Sequence, residues 1–251
     1  METMEAKEIV GVLAKLGNQE KAAHLSQFFK TGRGEYGEGD LFLGVTVPEQ
    51  RVVAKQYEQA DWETLEALVA SPWHEVRLTG LLIVVRRFGR SAKDEEEQKR
   101  CVSFYLEHTK QINNWDLVDL TCYKLLGVWL EDKDRELLYR LADSEVLWEQ
   151  RIAMVTCMHF VRKGDFKDCL AIADKLLEHP HDLIQKAVGW LLREVGKKDK
   201  KVLVDFLAER HKRMPRTMLR YAIERFPEAE RKAYLGERRR INRGKGLEIA
   251  Q

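Results

Sequence analysis

Residues 143–165 read DSEVLWEQRIAMVTCMHFVRKGD, a turn followed by a basic residue and an apolar run at helical spacing. The same order recurs in HPHDLIQKAVGWLLREVGKKD at 179–199 and in RMPRTMLRYAIERFP at 213–227. The matching basic residues lie 35 and 34 residues apart: Arg151, Lys186 and Arg220. A period of this size with two helices per unit is typical of a helical solenoid. We therefore predict a stack of antiparallel helix pairs with a concave side.

A fourth stretch, SPWHEVRLTGLLIVVRRFGR at 71–90, carries its basic residue at Arg77. The gap of 74 residues to Arg151 leaves room for one more unit, and that unit contains the box WDLVD at 115–119. If equivalent positions face the same way, the repeats form a surface row that is basic except for one acid: Arg77, Asp119, Arg151, Lys186 and Arg220. Alternatively, the repeat-equivalent cations only bridge neighbouring repeats.

The rest of the chain favours helices. It has only five prolines, and long segments between them place apolar residues at helical spacing. The nearest strand candidate, LFLGVTV at 41–47, is short and ends at Pro48, which suits the first turn of a helix. We predict an all-α protein with strand content near zero.

The segment GRGEYGEGD, residues 32–40, formally matches a G-x-G-x-x-G phosphate-binding pattern. That motif should follow a strand and open a helix, whereas this segment follows a helical stretch. It also carries Glu35, Glu38 and Asp40, which repel phosphate. We interpret it as a loop connecting two helices.

The net charge of +2 conceals a basic C-terminal part. Residues 186–245 contain 19 Lys and Arg against 8 Asp and Glu, and the rest of the chain contains 24 against 33. Such segregation suits a protein that binds a polyanion, which makes DNA or RNA a candidate partner. The alternative is a set of solvated helix faces followed by a disordered basic tail.

The four cysteines show no C-x-x-C spacing and lie in apolar helical stretches, which argues against disulfides and a zinc site. The triplet HPH at 179–181 has no acidic or thiol cluster near it, so we expect no metal. No segment has the apolar length of a signal peptide or a membrane span. These features predict a cytoplasmic protein without a cofactor.

Trp115 and Asp119 are four residues apart and would share one face of a helix. An aromatic ring beside a carboxylate, with a guanidinium at Arg151 and a second indole at Trp190, could hold and cleave a cationic nucleotide. The plainer alternative is a core tryptophan and a solvated or capping acid. Asp116 is a second acid in the box and a less favoured candidate for the catalytic group, because three residues before Asp119 it points partly away.

Five segments together carry a resemblance to a known family: QFFKTGRGEYGEGDLFLGVTVPEQR at 27–51, the WDLVD box, WEQRIA at 148–153, VGWLLREVGK at 188–197 and MPRTMLRYAIERFP at 214–227. They resemble the bacterial AlkD-like DNA alkylation repair glycosylases of the HEAT-like repeat superfamily. The likeness runs from about residue 6 to residue 235. The acidic glycine-rich loop departs from the best-studied type of that family.

The resemblance implies a monofunctional glycosylase that removes N3- or N7-alkylated purines from double-stranded DNA, acting as a monomer and leaving the lesion largely stacked. It matches Asp119 to the catalytic carboxylate, Trp115 and Trp190 to tryptophans that pack on the sugar, and Arg151 to a backbone contact. We expect the DNA-binding cations to be Arg151, Lys186, Arg193, Arg77, Arg216 and Arg220. The glycosylase domain should span residues 1–235, followed by a flexible basic tail at 236–251.

Two other functions compete with the glycosylase. Superfamily members that lack the tryptophan and aspartate are implied to bind branched or distorted DNA without catalysis. Helical repeats also serve as protein-binding scaffolds. The four site residue types found together favour catalysis, and the basic C-terminal part argues against a scaffold.

Overall fold

The fold is built from helices, as a computed structural model that describes residues 3–236 shows. Within that range the one β-type pairing is an isolated bridge between Leu41 and Trp73. The all-α prediction is therefore confirmed. The helices are α1 (Met4–Leu16), α2 (Gln19–Phe28), α3 (Val47–Gln56), α4 (Trp62–Val69), α5 (His74–Arg90), α6 (Glu95–Glu107), α7 (Trp115–Asp119), α8 (Cys122–Trp129), α9 (Glu136–Ala142), α10 (Leu147–Thr156), α11 (Met158–Lys163), α12 (Lys167–Lys175), α13 (Asp182–Lys198), α14 (Lys200–Arg210), α15 (Arg216–Ala222) and α16 (Glu228–Gly236).

The helices stack as a solenoid. α10, α13 and α15 begin at residues 147, 182 and 216, which reproduces the spacing of 35 and 34 seen in the sequence. α5 packs against α3, α4 and α6, whereas α13 packs against α10, α14 and α15. Each unit thus buries its apolar face against its neighbours in the chain, as a solenoid requires.

The side chains of α13 show why this stacking is stable. Seven of its apolar residues, at helical spacing, are at least nine-tenths buried: Leu183, Ile184, Ala187, Val188, Leu191, Leu192 and Val195. Burying a large aliphatic side chain contributes about 1.5–3 kcal/mol. Gly189 allows α15 to come close, because a Cβ there would lie only 2.5 Å from the carbonyl oxygen of Met218.

The WDLVD box forms the short helix α7. Its first residue follows Asn114, whose Oδ1 accepts a hydrogen bond of 2.8 Å from the Trp115 amide. The helix ends where the Thr121 hydroxyl donates to the Leu117 carbonyl, a side-chain bond that competes with the backbone ladder. Asp119 is consequently the last residue before a break, and α8 begins at Cys122.

The glycine-rich segment connects α2 to α3, as predicted, and Pro48 lies in the first turn of α3. The loop's own acids bind its amides: Glu35 accepts from the Gly32 amide at 2.9 Å and Glu38 from the Gly34 amide at 2.8 Å. Amides that a phosphate would need are already occupied, which agrees with the rejection of a phosphate loop.

Several other sequence predictions concern absences or the termini. Among residues 3–236 no helix is long and apolar enough to cross a membrane. All four cysteines are buried free thiols. Gly236 ends α16, and the remainder of the predicted basic tail lies outside the described residues. The division into a domain at 1–235 and a tail stays a prediction.

Candidate functional site

A cleft of about 540 Å³ lies where α7, α10, α13 and α15 meet the segment after α2. It contains the four residues predicted to hold and cleave a nucleotide, which are Trp115, Asp119, Arg151 and Trp190. Lys186 and Arg193, two of the predicted DNA-binding cations, also line it. The lining residues are Phe28, Lys30, Tyr36, Trp115, Asp119, Arg151, Asp182, Leu183, Lys186, Trp190, Arg193 and Tyr221. The structure therefore brings together residues up to 193 positions apart in the chain, from Phe28 to Tyr221.

Asp119 is held by two hydrogen bonds from one guanidinium. Arg151 donates from Nε to Oδ1 at 2.9 Å and from Nη2 to Oδ2 at 2.8 Å, the paired geometry that arginine and carboxylate favour. The side chain of Asp119 is 15% exposed, so it reaches the cleft while most of it is buried. Burial raises the pKa of Asp119 above its ordinary value, although Arg151 opposes the rise and the nearby charge of Asp116 adds to it.

Arg151 is engaged with partners inside the protein, and its predicted contact with the DNA backbone stays a prediction. Its third nitrogen, Nη1, donates to the Leu183 carbonyl at 2.6 Å, so all three guanidinium nitrogens are engaged within the protein. Its side chain is only 6% exposed. Arg151 anchors the Asp119 carboxylate and the start of α13.

Aromatic rings form much of the cleft wall. Besides Trp115 and Trp190, the wall includes Phe28, Tyr36 and Tyr221. Phe28 meets Trp115 edge to face at 5.9 Å between ring centroids. Phe28 is 55% exposed and Tyr221 is 37% exposed, so the cleft opens to solvent at these rings. Electron-rich ring faces beside a carboxylate suit a cationic ligand.

Comparison with known proteins identifies the family. The family model for DNA alkylation repair enzymes matches residues 9–226, which include every residue of the cleft. The chain belongs to this family. Among solved structures, a predicted DNA alkylation repair enzyme from Enterococcus faecalis is similar, with a TM-score of 0.64 and 19% identity, over 84% of this chain and 97% of that one. No curated protein matched the chain.

In this member of the DNA alkylation repair family, Arg77 does not belong to the surface row. It is 4% exposed. Its Nη2 donates to Asp40 at 2.7 Å and to Asn113 at 2.9 Å, and its Nη1 donates to the Ser71 carbonyl. Its guanidinium is committed to these buried partners, and the predicted contact of Arg77 with DNA stays a prediction.

The other predicted DNA-binding cations of this family member lie nearer to solvent. Lys186 pairs with Asp182 at 2.8 Å, and Arg193 pairs with Glu224. Arg216 and Arg220 are exposed on α15, and Arg216 donates to a carbonyl of α16. The pair of Lys186 with Asp182 is exposed, and such pairs are worth about 0.2–1 kcal/mol. Their role in DNA binding stays a prediction.

The cleft also contains residues that the sequence reasoning missed. Phe28, Lys30 and Tyr36 come from the N-terminal part, where the repeat pattern is absent and gives no facing direction. The structure shows an unusual backbone in this segment. Lys30 has φ = 53°, a left-handed conformation that is uncommon for a residue with a side chain. Such conformations cluster at functional sites of proteins.

Proposed function

We propose that this DNA alkylation repair family member is a monofunctional DNA glycosylase that hydrolyses the N-glycosidic bond of cationic N3- or N7-alkylpurines in duplex DNA. It would start base excision repair as a monomer, without a cofactor, on nucleoid DNA in the cytoplasm. The observation that carries the proposal is the Asp119 carboxylate, fixed by Arg151 in one cleft with Trp115 and Trp190.

One carboxylate is enough for this chemistry. Glycoside hydrolases usually need a second acid to protonate the leaving group. An alkylated purine already carries a positive charge and leaves as a neutral base, so no acid is required. Asp119 would stabilise the positive charge that develops on the sugar and orient a water towards C1′. Such stabilisation is strongest when the charged group is fixed in a site that excludes water.

Trp115 and Trp190 would face the deoxyribose from the cleft wall. Their ring faces attract the developing cation, with about 0.5–2 kcal/mol for each ring. Arg151 acts through Asp119, because its two hydrogen bonds fix the orientation of both carboxylate oxygens.

The openness of the cleft supports excision without complete base flipping. Enzymes that flip a base read it in a snug pocket. Here Phe28, Lys30 and Tyr221 are exposed, so the cleft that contains Asp119 opens to solvent at these side chains. A lesion that stays largely stacked would be selected by its own charge and its labile bond.

The test is single-turnover release of 7-methylguanine from a methylated duplex, with DNA binding measured in parallel. We expect Asp119→Asn to abolish release while binding persists. The matched control is Asp168→Asn, since Asp168 is another buried acid that pairs with an arginine, Arg135, at 2.7 Å but lies outside the cleft. Folded Asp168→Asn should release 7-methylguanine at the wild-type rate.

Two outcomes would count against the proposal. Release that survives in Asp119→Asn would remove the carboxylate from the reaction. No release by the wild type, despite tight binding, would favour a non-catalytic protein that binds damaged or branched DNA.

A further inference from the structure

A buried histidine joins the glycine-rich loop to the WDLVD helix. His74, the first residue of α5, is 2% exposed. Its Nε2 lies 2.8 Å from Oδ2 of Asp116 and its Nδ1 lies 3.3 Å from Oδ2 of Asp40. Ionised carboxylates only accept hydrogen bonds, so the ring must donate from both nitrogens. The geometry therefore describes a doubly protonated imidazolium between two carboxylates.

Aromatic rings fix this imidazolium in place. Phe29 and Phe42 stack on His74, with centroids at 5.0 and 4.8 Å. Phe29 also packs against the indole of Trp115 at 5.2 Å, and Trp115 forms part of the cleft wall. A displacement of His74 would thus reach Trp115 by two routes, through Phe29 and through the neighbouring Asp116.

The charges around His74 are balanced. Asp40 faces it from the loop and Asp116 from α7, and Arg77 of its own helix pairs with Asp40. The carboxylate of Glu75, the next residue, accepts hydrogen bonds from the backbone amides of Leu43 and Gly44. Burial alone lowers the pKa of His74, but the charge of Asp116 and the hydrogen bonds that the ring donates to both aspartates outweigh it and raise the pKa to about 9.

We propose that His74 is a positioning residue for the glycosylase reaction: its imidazolium ties Asp40 to Asp116 and so holds Trp115 and Tyr36 in the cleft wall. This inference rests on the proposed function for its catalytic consequence. Tyr36 enters because it lies in the loop that Asp40 ends and lines the same cleft as Trp115. His74 is not among the residues that line the cleft, so it acts through Asp40 and Asp116.

The first experiment compares His74→Gln with His108→Gln. His108 is a matched control: it is also buried, binds the carboxylate of Glu66 at 2.7 Å and stacks on Phe104 at 4.3 Å, but lies outside the cleft. We expect His74→Gln to slow single-turnover excision by roughly 10- to 100-fold, as for a misplaced catalytic group, with DNA binding retained. His108→Gln should excise at the wild-type rate.

The pH profile separates positioning from general loss of stability. Wild-type excision should fall as the pH rises through about 9, where His74 loses its proton. That alkaline limb should be absent in His74→Gln and shifted to lower pH in Asp40→Asn, because one of the two carboxylates that favour the imidazolium is gone. A wild-type rate and profile in His74→Gln would overturn the proposal.

Hydrogen exchange gives a readout that does not need activity. In His74→Gln the amides of 30–40 and 115–118 should exchange faster together, and in His108→Gln neither segment should change. If both segments keep their protection, His74 does not link them and the inference fails. If the wild type does not excise alkylpurines, the proposed function fails, and the exchange experiment still decides whether the link exists.

Discussion

The ion pair between Arg151 and Asp119 makes a quantitative prediction about stability. The change Arg151→Met keeps much of the aliphatic volume but removes the guanidinium. Three hydrogen bonds disappear, two to Asp119 at 2.9 and 2.8 Å and one to the Leu183 carbonyl at 2.6 Å. Removing one partner of a buried pair costs about 3–5 kcal/mol, because the remaining charge stays buried and unpaired.

The partial exposure of Asp119 places the expected loss at the lower end of that range. With 15% of the side chain accessible, water can hydrate the carboxylate in part, and we expect a loss of about 3 kcal/mol at neutral pH. For a domain of this size that corresponds to a fall of roughly 6–12 °C in Tm. Urea denaturation of the wild type and Arg151→Met, monitored by circular dichroism, measures the difference in the free energy of unfolding.

The pH dependence gives the sharper test. Burial already raises the pKa of Asp119, and removal of Arg151 raises it further. The folded variant then binds a proton more readily than the unfolded chain, so the loss should shrink as the pH falls through that raised pKa. The double variant Asp119→Leu/Arg151→Met should recover most of the stability. A loss below about 1 kcal/mol, or an equal loss at acid and neutral pH, would refute the reasoning.

Three further predictions concern other parts of the chain. The stability that the charged His74 contributes should be complete below its unfolded pKa of about 6.5 and lost as the pH rises through about 9; denaturation of wild type and His74→Gln across that range measures it. Arg220→Ala should reduce the slope of log affinity for DNA against log salt by about 0.9 if it contacts one phosphate, whereas Arg77→Met should lower the melting temperature and leave that slope unchanged. Gly44→Ala should destabilise the fold in thermal melts, because φ is +82° and a Cβ would lie 2.1 Å from the Asn18 carbonyl oxygen.

The periodic part of the chain was predictable from sequence because its determinants are local. Apolar spacing and the repeat of 35 and 34 residues gave the helix class and the stacking of α10, α13 and α15. The four-residue spacing of Trp115 and Asp119 placed both in one cleft. Local patterns set these features, so tertiary contacts were not needed to see them.

The burial of two arginine side chains could not be predicted from the same repeat pattern. Arg77 and Arg151 occupy repeat-equivalent positions, but their burial depends on acids 37 and 32 residues earlier in the chain, Asp40 and Asp119. The repeat pattern allowed either a surface row or bridges between neighbouring repeats, and it did not decide between them. The same limit applies to Phe28 and Tyr36, which enter the cleft from a segment without repeats.

The cleft depends on more units of the stack than any single helix does, because residues from several units line it. Helix content depends on contacts between adjacent units, but the cleft exists only while α7, α10, α13, α15 and the segment after α2 are all docked. Solenoids can unravel from an end, one unit after another. On heating, ligand binding in the cleft should therefore vanish before the far-ultraviolet signal of the helices does. Activity, more than ellipticity, reports whether the whole stack is intact.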